Sequence, residues 1–138
     1  MIVLDTNVIS ELFKPEPYPG VVAWVARLPG NNLFTTAITR GELLFGLYRM
    51  PDGQRKADLL QKLALLFERE LAGHIIAYDS DAADAHAAFA AARRAQGRPV
   101  GMADAMIAGI AQSRGATLAT RNVQDFEGCG ITLVDPWH

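Results

Sequence analysis

The sequence predicts a three-layer α/β domain on a largely parallel, five-stranded sheet, and three observations point there. Five short apolar runs recur along the 138 residues, mostly apolar on both faces as strands buried between helices are. Segments with helical periodicity separate the runs, the alternation that builds parallel βαβ units. No repeat, linker or low-complexity tract breaks the pattern, so residues 1–138 read as one domain, which the length alone also favours.

Ile2 to Leu4 is the first strand, and it ends in Asp5-Thr6-Asn7, where Asp5 can cap a short helix carrying Val8, Ile9 and Leu12. Three prolines between Lys14 and Gly20 make a connection, and helical spacing resumes from Val21 to Leu28 before Pro29-Gly30. Leu33 to Thr36 is the second strand. From Ala37 to Arg49 the residues Ile38, Leu44, Phe45 and Tyr48 share a helical face expected to be apolar and buried, and Pro51-Asp52-Gly53 closes that helix. Leu59, Leu60, Leu63, Leu66 and Phe67 recur at threes and fours in a long helix from about Arg55 to Leu71, with Gly73 as its stop. Ile75 to Tyr78 forms the third strand. Asp79-Ser80-Asp81 offers caps for an alanine-rich helix from about Ala82 to Ala95, and Met102 to Ser113 makes the last long helix, ahead of Gly115. Thr117 to Ala119 and Ile131 to Val134 complete the sheet, with a turn or short helix at Asn122 to Phe126 between them.

Composition narrows the functional classes. Net charge is -2, so a polyanion would have to be met by a local basic patch rather than by the overall field. Ten of the thirteen basic residues are arginine, whose planar fork suits phosphate oxygens. Cys129 is the only cysteine, which excludes an internal disulfide and any multi-cysteine metal site and points to a reducing, cytoplasmic setting. The opening apolar run stops at Asp5, short of the roughly 7 to 15 residues of a signal-peptide core. No stretch approaches the roughly 20 apolar residues of a membrane span, so no membrane association is expected.

The chemistry rests on acids that are distant in sequence. In open parallel sheets, ligands bind beyond the carboxyl ends of the strands. Asp5 follows the first strand and Thr120 to Asp125 follow the fourth, so both belong at that edge. Glu42 borders the expected apolar face beside Ile38 and Phe45, where an unpaired carboxylate is costly, and neither Arg40 nor Arg49 reaches it easily along that face. Asp104 lies in the first turn of its helix, where the dipole favours a negative charge. Each of these residues alone has an ordinary structural use as a cap or turn former. Together, converging carboxylates would repel one another and be pushed up in pKa unless a cation lay between them. An all-oxygen set with no cysteine cluster and only isolated histidines (His74, His86 and His138) selects Mg²⁺ or Mn²⁺ over Zn²⁺.

Four segments in order resemble the PIN domain: Ile-Val-Leu-Asp-Thr-Asn-Val-Ile-Ser-Glu (2–11), Thr-Ala-Ile-Thr-Arg-Gly-Glu-Leu (36–43), Ala-Asp-Ala-Met-Ile-Ala (103–108) and Ala-Thr-Arg-Asn-Val-Gln-Asp-Phe (119–126). The resemblance spans the chain and is nearest to VapC toxins of bacterial type II toxin–antitoxin pairs, above all the FitB-like branch, with which the chain shares its Pro-Trp-His ending. It implies a three-layer PIN fold and a metal-dependent endoribonuclease acting through a metal-activated water, with 3′-hydroxyl and 5′-phosphate products. The implied acidic centre is Asp5, Glu42 and Asp104, with Mg²⁺ or Mn²⁺ as cofactor. The fourth position is divided between Asn122, asparagine where relatives often carry aspartate but able to coordinate through its carbonyl oxygen, and Asp125. Thr6 and Thr120 are expected behind the acids, orienting them or water.

Single-stranded or loop RNA is the expected substrate, and Arg40 and Arg121, next to acidic motifs, are expected to touch phosphate or an inhibitory segment of a partner. Arg49 and Arg98 are further candidates. The resemblance also implies a small antitoxin partner and a homodimer. Leu43, Leu47, Leu59, Leu63 and Leu66 exceed what one helix face needs, so part of that surface could meet another chain. A dehalogenase-type phosphatase would need an acid two residues after Asp5, where Asn7 stands, and a receiver domain would need a late lysine, yet none follows Lys62. The remaining alternative is a non-catalytic PIN-like module that binds RNA or a partner.

Overall fold

A computed structural model of the chain describes all 138 residues. Strands β1 (Ile2–Leu4), β2 (Leu33–Thr36), β3 (Ile75–Ile76), β4 (Thr117–Ala119) and β5 (Leu133–Val134) form one sheet in the order β3-β2-β1-β4-β5. Every pairing is parallel, with Val3 opposite Phe34 and Leu118, and Leu4 opposite Ala119. The chain winds from β1 through β2 to β3 on one side, then crosses to β4 and β5 on the other. Order therefore reverses between β1 and β4, which opens a crevice at their carboxyl ends.

Helices α1 (Thr6–Leu12), α2 (Pro19–Ala26), α3 (Ala37–Tyr48), α4 (Gln54–Leu65), α5 (Ser80–Ala95) and α6 (Met102–Ser113) cover the sheet. Period-two alternation in the strands sorts the core into two layers. Val3 and Leu118 enter one cluster with Phe89, Ile107, Ile110 and Phe126, whereas Leu4 and Ala119 enter the other with Val8, Ile9 and Val21. Each fully buried aliphatic side chain of this kind stabilises the fold by about 1.5–3 kcal/mol. Helices α5 and α6 cross so closely that a Cβ on Gly109 would meet Ala82 O at 2.5 Å and His86 N at 2.8 Å.

Four elements depart from the sequence reading, β5 by starting at Leu133 rather than Ile131. The expected helix to Leu71 ends as an α-helix at Leu65, and its last turn, Leu66–Glu70, widens to a π-turn closed by Leu71 N donating to Leu66 O at 2.8 Å. Phe67 and Leu71 are both buried by this arrangement. Strand β3 stops at Ile76, opposite Thr36 where its partner β2 ends, and beyond it the Tyr78 hydroxyl pairs with His86 Nδ1 at 2.7 Å. Only part of the expected apolar face of α3 meets the core: Ile38 packs against it, whereas Phe45 and Tyr48 are 63% and 62% exposed, and Thr39 is the residue of α3 that is buried. Helical spacing identified a stripe, but packing turned a neighbouring stripe inward. The outer strands β3 and β5 are only two residues long, which leaves little unpaired ladder at the sheet edges.

Candidate active site

Asp5 is placed by the end of β1. Its backbone N–H continues the ladder to Ala119 O at 2.9 Å, and its side chain then caps α1 by accepting from Thr6 N at 2.8 Å. Oδ2 accepts from Thr120 Oγ1 at 2.7 Å and from Asn7 Nδ2 at 3.2 Å. The carboxylate is 3% exposed, and burial, the largest influence, pushes its pKa up against the pull of these hydrogen bonds. Thr120 is itself fully buried and also accepts from Asn7 Nδ2 and from Asn122 N. Asn7 completes the bracket by accepting from Arg121 N at 3.2 Å.

Glu42 reaches the same place from α3. Thr6 Oγ1 donates to Glu42 Oε1 at 2.7 Å and lies 3.1 Å from Thr39 Oγ1, which in turn sits by the Thr36 hydroxyl that caps α3. Glu42 is exposed to solvent, so no apolar flank forces a cation upon it. What ties it to the site is the Thr6 hydroxyl and its field on the other acids. Asp104, in the first turn of α6, is pushed up to about 6 from an ordinary 3.8, chiefly by burial and then by the charges of Asp5, Asp125 and Glu42. Every one of these influences raises it.

Asp5, Thr6, Asn7, Glu42, Asp104 and Asn122 line one open cleft of about 400 Å³, with Lys14, Arg121 and Trp137 also on its wall. Asn122 is shared with the adjoining cleft, where Asp125 lies beside Arg121 and Asp135. Asp125 thus approaches Asp104 from the flank without lining the main cleft. Arg40 is not brought to the site; its guanidinium lies over the Phe67 ring, 4.9 Å from the centroid. Arg121 is, with its guanidinium 5.0 Å over the Trp137 ring. Sequence reasoning missed Asn7 and Thr39 as orienting groups. Asn7 was legible only as the third residue of Asp-Thr-Asn after a strand, and Thr39 gave no signal beyond its place in Thr-Ala-Ile-Thr.

A profile of the PIN domain matches residues 2–127. The chain belongs to the PIN-domain family. It is 41% identical to the VapC ribonuclease Y4jK of Sinorhizobium fredii over 99% of this chain and 98% of that one. It is also 34% identical to toxin FitB of Neisseria gonorrhoeae over 100% and 99% of the two chains. A FitAB complex bound to a DNA fragment superimposes with a TM-score of 0.94 at 33% identity, covering 100% of this chain and 96% of that one. The three-layer PIN fold on a largely parallel five-stranded sheet, expected from the sequence, is the observed fold, and its sheet is parallel throughout.

The donor set fits a hard divalent cation. It is all oxygen, and the share of the Asp104 shift that neighbouring charges add to the larger effect of burial is what a bound positive charge would relieve. No group of three or more His, Cys, Asp or Glu side chains forms a ready-made metal cage. Oxygen donors of this kind are what magnesium takes, one or two carboxylates with several waters, whereas zinc sites draw on cysteine and histidine.

Proposed function

We propose that this chain is the toxin of a toxin–antitoxin pair, a Mg²⁺- or Mn²⁺-dependent endoribonuclease that hydrolyses RNA phosphodiesters at the Asp5–Glu42–Asp104 cleft. The observation that carries the reading is the crowding of these acids, with Asp125 at their flank, around one crevice of a PIN domain whose relatives include a VapC ribonuclease. Asp5 and Asp104 would hold the ion, with Glu42 and Asn122 completing its surroundings directly or through water. When bound, it would supply an activated water and offset charge developing on the phosphate. Asp5 is pre-aligned by three donors, and Glu42 by the Thr6 hydroxyl, so neither has to be ordered as substrate arrives. Without the ion Asp104 is pushed up to about 6, and a bound cation would draw it back down and keep it ionised as a ligand. Arg121 and Lys14 on the cleft wall provide the positive charge that the net charge of -2 does not, and would meet the RNA backbone.

An antitoxin would cover a second, apolar groove of about 320 Å³ lined by Phe13, Leu43, Leu47, Leu59 and Leu63, since it shares Thr6 and Glu42 with the acidic cleft. An apolar segment lying there would carry its end to the acids. The exposed Phe45 and Tyr48 offer further apolar area, and a homodimer is part of this proposal. No helix is long and apolar enough to cross a membrane, and action on RNA in the cytoplasm fits the single free cysteine.

The test is calorimetric titration with Mn²⁺ and Mg²⁺ alongside cleavage of RNA, with and without a chelator, and analysis of the product ends. Metal binding with chelator-sensitive cleavage is the expected result. A silent titration and intact RNA under every divalent ion would sink the enzyme reading and leave a non-catalytic RNA- or partner-binding module, which Asn122 in place of an acid would then favour.

A further inference from the structure

Arg93 is the one charged side chain of α5 that lies inside the protein, 5% exposed beside the Phe89 ring. Burying a guanidinium is costly unless its donors are matched, and the partners here are backbone oxygens rather than a carboxylate. Nε donates to Arg98 O at 2.9 Å. Nη1 is shared among Gln124 O at 3.2 Å, Asp125 O at 3.3 Å and Glu127 O at 2.9 Å. Three of the four acceptors belong to the turn after β4, Val123–Phe126, and the residue following it. From outside, Arg98 Nη2 pairs with Glu127 Oε2 at 3.1 Å. From below, Phe126 plugs the core and is fully buried. Asp125 stands between these anchors with its side chain exposed, near enough to Asp104 for its charge to be felt there.

We propose that Arg93 is a positioning residue: it grips the carbonyls of the Val123–Phe126 turn from behind, and so holds the Asp125 carboxylate towards the cation bound at Asp5 and Asp104. This rests on the metal-dependent reading above. A guanidinium in particular does this, because Nη1 meets the converging carbonyls of the turn while Nε, fixed in the same plane, meets Arg98 O, so that one head ties two segments together. A lysine brings the charge but not the fork, and an apolar residue would strand the carbonyls. Groups that orient metal-site carboxylates from behind commonly govern affinity almost as strongly as the ligands do.

The experiment compares wild type, Arg93→Lys, Asp125→Asn and the double variant. It measures Mn²⁺ affinity by calorimetry, backbone amide exchange, and RNA cleavage at limiting and saturating Mn²⁺. Arg93→Lys is expected to weaken Mn²⁺ binding about 10- to 100-fold. Amide exchange should quicken in residues 122–128 alone, and cleavage should recover at saturating Mn²⁺. In the Asp125→Asn background the same change should add little, because its effect runs through that carboxylate. Unaltered affinity and cleavage in Arg93→Lys, or an equal loss in both backgrounds, overturns the assignment. So does exchange that quickens throughout the chain, which would make Arg93 a general folding residue. Wild type that neither binds Mn²⁺ nor cuts RNA overturns the ribonuclease reading itself and this role with it, an outcome distinct from a functional wild type matched by its variant.

Discussion

Thr120 Oγ1 donates to Asp5 Oδ2 across 2.7 Å, so the ends of β1 and β4 are joined through side chains just where their backbone ladder gives out. The parallel register, Leu4 beside Ala119, makes the next two residues neighbours. Thr120→Val keeps the shape but removes the donor to a buried carboxylate and the acceptor for Asn7 Nδ2 and Asn122 N. It should lower cleavage about 10- to 100-fold. A stability cost of about 1–3 kcal/mol should accompany this, read by thermal melting. Wild-type turnover in a folded Thr120→Val would remove this hydroxyl from the mechanism.

Asp104→Asn and Asp5→Asn should each abolish Mn²⁺-dependent RNA cleavage while leaving the circular dichroism spectrum native. Cleavage by either purified variant at the wild-type rate would place the site elsewhere.

The raised pKa of Asp104 fixes a sign for pH dependence. Between its ordinary 3.8 and its folded value of about 6, the folded state holds the proton more tightly than the unfolded chain does. Stability from this group is thus present below that window and declines as pH rises through it. Without divalent ion, melting temperature should fall from this contribution between about pH 4 and 6, and Asp104→Asn should flatten the fall. Added Mn²⁺ should reverse it at pH 7. A melting profile identical in wild type and Asp104→Asn would show that the carboxylates do not strain the fold.

Gly109→Ala puts a methyl group 2.5 Å from Ala82 O, a backbone atom that cannot swing aside. Helices α5 and α6 must then part, at a cost of about 1–3 kcal/mol in denaturant unfolding. An alanine variant as stable as wild type would mean that the crossing is looser than it appears.

Leu59→Glu places a charge in the apolar groove at a half-buried position of α4. Cleavage by the isolated chain should persist, whereas protection by a co-expressed antitoxin should fail. Full neutralisation of Leu59→Glu in a growth assay would move the partner off this groove.

Much of this was readable in advance where local chemistry and tertiary packing agree. β2, α6 and β4 lie where their apolar runs and flanking glycines put them, because those segments face a core on the side their pattern declares. Asp5 and Asp104 were legible from position alone, one leaving a strand and the other opening a helix. Glu42 was found for a reason that the fold does not support, since Glu42 and its neighbour Phe45 are both exposed. Arg40 lies away from the cleft, over the Phe67 ring, because proximity in sequence to an acidic residue on a helix does not decide which way a long side chain turns. Arg93 was unreadable: nothing separates it in sequence from Arg94, which is exposed, because the carbonyls that claim it come from a turn about thirty residues later.

Strand β1 lies at the centre of the sheet, yet one of its two neighbours, β4, begins only at Thr117. During synthesis, the first hundred residues can leave the ribosome with Asp5 made and Glu42 made, but with neither Asp104 nor the Thr120 hydroxyl that steadies Asp5. On the proposed reading, a nascent chain that ends before Thr120 would have no complete cleft, and folding order itself would give the producing cell an interval in which an inhibitor can be waiting.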